Sequence, residues 1–183
     1  MDGRKMMVKM FAETFRADLM SYLESADAIG KPFPVCPDVE ELWPKIGESY
    51  MPDAMREFND YPVVVFGWMM YVGMAVAKFW HEDWERYSKI EDIYGYIKSQ
   101  SDFDHLDEHI CFEILGLSKA EAAKLEKVVG ECGARTDNCL LHLNVEPGTK
   151  GAFTAFVAAL HQMYLMGMAV QLKRMGYEMK KIG

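Results

Sequence analysis

Hydrophobic residues recur along most of this chain at intervals of three and four, the period of helices packed by one face. Residues 4–25 show it first, with Met7, Met10, Phe11, Phe15, Leu19 and Tyr22/Leu23 on a single stripe. Ala28-Ile29-Gly30 marks its end, and prolines 32, 34 and 37 forbid a helix in the loop that follows. Asp38, with Glu41 three residues on, has the spacing of a capping box and predicts a short helix. Pro44 predicts a kink or a restart at Trp43-Pro44. Met51-Pro52 predicts a second break, with a further short helix over 52–59.

The stretch Pro62–Trp80, PVVVFGWMMYVGMAVAKFW, has a different character. It holds one charge, Lys78, and leaves no polar stripe. A helix that is hydrophobic all round is a buried one. Pro62 suits the first helical turn, where its missing N–H costs nothing, with Asp60 or Tyr61 as the cap. The run from Val63 to Ala77 is shorter than the about 20 residues of a membrane span and contains Gly67 and Gly73. It reads as a core helix.

Beyond it, Trp80, Trp84, Tyr87, Ile90, Tyr94 and Ile97 keep helical spacing, and Ser88-Lys89-Ile90-Glu91 suggests a new helix from Lys89. Residues 102–117 predict another, with Phe103, Leu106, Ile110, Ile114 and Leu117 inward. Ser118-Lys119-Ala120-Glu121 is the clearest capping box in the chain. It opens a helix that Gly130 or Gly133 is expected to end near Glu131. Thr136–Leu143 reads as a short helical piece, residues 146–151 as a turn, and Ala152–Met179 as a last helix that is apolar nearly all round until Leu172.

The last helix echoes the central one. At a constant offset of 94, residues 63–76 align with 157–170 and six of the fourteen pairs are identical, among them Gly73/Gly167 and the Met-Ala-Val after each glycine. Glycine inside a helix costs up to about 1 kcal/mol against alanine, so the pair is expected where the two helices cross closely. The resulting picture is all-α. It is a compact multi-helix bundle in one domain, residues 1–183, which divides into two similar three-helix halves at 4–98 and 102–183 around a pair of buried central helices.

Composition narrows the function classes. Half the residues are hydrophobic and fifteen are methionines, which excludes a disordered chain and suits irregular cores or adaptable surfaces. The net charge of −8 is uneven. Residues 1–16 carry +2 and residues 150–183 carry +4, leaving −14 between them. An acidic body argues against nucleic acid. The start of the chain has no apolar signal-peptide core, and Cys36, Cys111, Cys132 and Cys139 form no C-x-x-C pair. The expectation is a reduced, cytoplasmic protein.

No catalytic motif is legible. His105-Leu106-Asp107-Glu108-His109 has the H-x-x-E-H form of one zinc-peptidase class. Helical geometry sets Asp102, His109 and Glu113 beside the apolar stripe, His105 farther out and Glu108 away. His161, next to Gln162 in an apolar helix, is the natural partner across an interface. Asp102, His105, His109, Glu113 and His161 are thus the candidate set for a divalent metal or an acid/base site. Cys139 and His142, three apart, form a weaker thiol–imidazole pair. Pro147-Gly148-Thr149-Lys150-Gly151 lacks P-loop spacing and reads as a capped turn.

These observations favour a non-enzymatic interaction or regulatory module that binds a protein partner or itself. Its homodimer surface is expected at Trp80, Trp84 and Tyr87, since aromatic side chains make interface hot spots. A metal- or small-ligand-binding bundle is the alternative, and membrane insertion of the two apolar helices as a pair is a third reading.

Overall fold

A computed structural model describes residues 3–177, and every regular element among them is helical. The elements are α1 (Gly3–Ser25), α2 (Pro37–Glu40), α3 (Trp43–Glu57), α4 (Pro62–Tyr87), α5 (Ile93–Lys98), a segmented α6 (residues 103–114), α7 (Lys119–His142) and α8 (Lys150–Arg174). The last helix stops at Arg174, short of the expected Met179, because the chain turns at Met175 and Gly176, whose φ is +88°; Glu178, Met179, Lys180 and Lys181 lie outside the described residues.

The most extensive packing is between α4 and α8. They run parallel. Phe66 packs on Phe156 near their starts, Gly73 meets Gly167's turn midway, and Trp80 lies against Tyr177 beyond the end of α8. At the crossing the two backbones nearly touch. A Cβ built on Gly73 would lie 2.1 Å from the Tyr164 carbonyl oxygen, and one on Gly167 would lie 2.0 Å from that of Met70. The contacts are reciprocal, because residues 70 and 164 stand at the same offset of 94 as the two glycines. Both helices are long and apolar enough to cross a membrane, but 72% and 78% of their apolar windows are buried within the fold, which accounts for their hydrophobicity.

α7 runs antiparallel to α4. Gly133 faces the Val63 carbonyl oxygen, which a Cβ would approach to 2.8 Å, and Gly67 faces Val129. α7 is also antiparallel to α1, where Arg135 reaches Asp18 at 3.3 Å and lies over the Tyr22 ring. α3 is antiparallel to α8, with Trp43 beside Tyr164 and Phe58 beside Phe156. One end of the bundle therefore gathers the starts of α1, α4 and α8 and the ends of α3 and α7.

Buried hydroxyls find carbonyl acceptors, Tyr50 on Val65 and Tyr164 on Val39, each at 2.6 Å. The Trp68 indole donates to the Phe103 carbonyl at 2.7 Å and ties α6 to α4. Asp53 is the buried charge of α3. Its carboxylate accepts from Tyr94 at 2.6 Å and Lys98 at 2.7 Å, both on α5, and from Arg56 at 2.9 Å. Burial opposes its ionisation, but the Lys98 and Tyr94 hydrogen bonds and the two cations outweigh it and hold the pKa below the ordinary carboxylate value.

Several expected boundaries are corrected. α7 is one helix through Gly130 and Gly133, since Gly133 serves the close approach to α4. Pro52 lies inside α3 and does not break it; the burial of Tyr50, Asp53 and Ala54 around it outweighs the lost hydrogen bond. Asp38 does not cap α2. The Cys36 N–H is met by Glu40 at 2.9 Å, while Asp38 accepts from the Trp80 indole at 3.0 Å. α4 extends to Tyr87 across a non-helical Asp83, and Asp92, not Ser88, caps α5 by accepting from the Gly95 N–H at 3.0 Å.

The helix expected over 102–117 is a 3₁₀ turn (Phe103–His105), one α turn (Leu106–Glu108) and a π turn (His109–Ile114). The wider π turn brings Cys111 and Leu115 into the core in place of Ile114. The Ser118–Glu121 capping box is present as read, and Thr149 caps α8.

Replacing Gly73 or Gly167 with alanine is expected to force the α4–α8 backbones apart and cost about 1–3 kcal/mol or more. Alanine at Gly130, where a Cβ meets nothing within 4 Å, is expected to stabilise by up to about 1 kcal/mol. Urea titration of the three variants measures both signs. Asp53→Ala strands Lys98 and Tyr94 and is expected to cost about 2–4 kcal/mol. Because the folded-state pKa of Asp53 is depressed, its contribution is present above the ordinary carboxylate value and is lost as the pH falls below that value and through the depressed one. The acid limb of the stability–pH curve should accordingly flatten in Asp53→Asn.

Candidate functional site

The end of the bundle that gathers the starts of α1, α4 and α8 and the ends of α3 and α7 carries most of the exposed apolar surface. Of twelve large hydrophobic side chains exposed among the described residues, nine lie there. They are Met6, Met7, Val8 and Met10 on α1, Met55, Tyr61 and Val63 where α3 passes to α4, Leu141 on α7, and Phe153 on α8. Met7 and Met10 were expected in the core. They are exposed because residues 3–10 of α1 are solvated on every side; its buried face begins at Phe11.

Two grooves flank the end of α7. The larger, about 800 Å³, lies between α7 and the α3, α4 and α8 ends, and its walls include Met55, Phe58, Leu140, Leu141, Phe153 and Phe156. Its polar wall residues include Asn59, Asp137 and Thr149. Burial raises the Asp137 carboxyl pKa, and among the described residues no cation pairs with it. The smaller groove, about 550 Å³, lies between α1 and α7 and is more polar, with Thr14, Asp18, Arg135, Asn138, Cys139 and His142 in its wall. His142 Nδ1 lies 2.7 Å from the Asn138 carbonyl oxygen, a partner that fixes Nδ1–H as the donor of the neutral ring. Burial raises the Cys139 thiol pKa, which disfavours the thiolate a nucleophile needs.

The candidate metal set is divided. His105 Nδ1 lies 2.6 Å from Asp102, and this pair is exposed. The hydrogen bond that the ring donates to Asp102 raises the imidazole pKa. His109 is a separate pair, its largely buried side chain 3.3 Å from Glu113. His161 joins neither. Its ring stacks on Trp43, centroids 4.8 Å apart and planes within 8°, and the neighbouring Gln162 Oε1 is buried with no donor. Among the described residues no three His, Cys, Asp or Glu side chains are grouped to hold a metal ion.

The aromatic residues expected at an interface take up contacts within the chain. Trp80 donates to Asp38 and packs on Tyr177, and Tyr87 stacks on Phe79 at 4.2 Å. Trp84 is half-buried. The non-helical Asp83 separates Trp80 from Trp84, so the three do not share one straight stripe. No family model, curated protein or solved structure matches the chain.

His161 generates a pH prediction. Burial, with a smaller push from the Arg16 charge, lowers its pKa from 6.5 to about 4. The unfolded chain takes up this proton first, so stability falls as the pH drops from about 6.5 towards 4. His161→Phe keeps a ring on Trp43 and is expected to remove that part of the slope, as thermal midpoints across the interval would record.

Proposed function

We propose that the chain is a non-enzymatic helical interaction module that docks a partner protein at the α1/α3/α4/α7/α8 end. The observation that carries this reading is the concentration of exposed apolar side chains at this end, three of which, Met55, Leu141 and Phe153, line the 800 Å³ groove. Exposed apolar surface gathered in this way marks interaction sites. The acidic body supports a protein partner over nucleic acid. The divided histidine pairs and the raised Cys139 pKa give no support to a catalytic reading. The reciprocal contacts of Gly73 and Gly167 support descent of α4 and α8 from one repeated unit, the two-halves architecture read in the sequence.

A photo-crosslinking amino acid placed at Leu141, 74% exposed beside the groove, tests the reading. Expressed in cells, it is expected to yield a discrete light-dependent protein adduct. The same group at Glu91, on the α4–α5 loop at the opposite end, should yield none. Absence of an adduct at 141, or equal labelling at both positions, would overturn the reading.

A further inference from the structure

We infer that the occupant of the apolar groove is the first two turns of α1 from a second copy of this chain, exchanged reciprocally in a two-fold dimer. The inference rests on the docking-end reading and specifies the partner. Residues 3–10 are Gly-Arg-Lys-Met-Met-Val-Lys-Met, a stretch in which half the side chains are large and apolar and all are exposed. These two turns bury no side chain, and the first buried residue of α1 is Phe11. The groove is large enough for several side chains and too small for a folded domain, so its occupant is a short segment.

Charge points the same way. Arg4, Lys5 and Lys9 are the only charges of residues 3–10, and the first turn of α1 has no acidic residue. Basic side chains at a helix start oppose the helix dipole, so the dipole itself does not favour them there. The groove offers the opposite sign. Asp137 is in its wall, and Asp60 and Glu146 flank its lining residues, against Lys150. Arg56 and Glu57, which also flank it, pair with each other.

Placement fixes the symmetry. Tip and groove lie at the same end of the bundle on opposite sides of α7. Two copies meeting end to end can each insert a tip into the other's groove. That arrangement is isologous and closes at two, and it doubles the area one junction would bury. An anionic lipid surface would also attract a basic methionine-bearing helix, but at this end of the bundle it would also meet the acidic residues around the groove, whereas the groove answers both the apolar and the charged character of the segment.

Sedimentation equilibrium of the full chain at high micromolar concentration is expected to give twice the chain mass. A double change of the tip, Met6→Glu with Met10→Glu, and a separate change of the groove, Leu141→Glu, should each give the mass of one chain with unchanged circular dichroism. Mixing the two variants is the decisive step. One of the two junctions then pairs an intact tip with an intact groove, and a mixed dimer should return, weaker than the parent by tenfold or more. Should Leu141→Glu fail to fold, Phe153→Glu takes its place, and the solvated tip variant stands in either case.

Single-chain mass for the parent, a dimer that survives the tip change, or no recovery on mixing would overturn the inference. Binding of the parent monomer to phosphatidylserine vesicles, lost in the tip variant, would assign the tip to a membrane surface and also overturn it. A Leu141 photo-adduct containing a different protein would leave the docking-end reading standing and sink this one. No adduct at all would remove both.

Discussion

The rest of the molecule depends on one contact, the approach of the α4 and α8 backbones at Gly73 and Gly167. With no Cβ on either side, main chain meets main chain, and the hydrogen each glycine carries in the Cβ position points at a carbonyl oxygen of the other helix. Such Cα–H···O contacts contribute modestly each. Their larger effect is geometric. They bring two long apolar helices close enough to bury each other over most of their length, and the remaining elements cover what this pair leaves open. α7 uses the same device against α4, where Gly133 meets the Val63 carbonyl.

That parallel pair also explains why the two ends of the bundle differ. Parallel helices in one chain need a long return, and α7 supplies it. α1 then lies against α7 and α8 and starts beyond the last residue of α7 that it packs against. The exposed methionines follow from this mismatch of helix lengths. At the other end the chain closes on itself. Tyr177 packs on Trp80 and His81, and Lys173 binds Asp27 at 2.7 Å.

What could be read from the sequence was what local chemistry decides. The 3.6-residue period of α1, the all-round hydrophobicity of α4 and α8, the Ser118 capping box and the shared glycines were each legible, and the glycines even located the crossing. What tertiary contact decides was not legible. Gly133 and Pro52 resemble terminators unless the neighbouring helix is known. The π turn at 109–114 moves Cys111 and Leu115 inward against the expected period. The candidate site suffered most. A groove formed by four helix ends has no motif, and Met7 and Met10 look like core residues until the length of α7 is known. His161 was read as facing a histidine and two carboxylates, whereas an aromatic ring, Trp43, occupies that face.

The glycine crossing sets a limit on how this sequence can vary. Side chains that touch across a core can exchange volume, one growing as the other shrinks, and such pairs leave correlated changes behind. Gly73 and Gly167 cannot trade in this way, because each faces a peptide carbonyl that every residue type carries. No replacement of Met70 or Tyr164 makes room for a Cβ opposite. The two positions are therefore fixed independently, and a chain that loses either glycine must alter the angle between its two central helices.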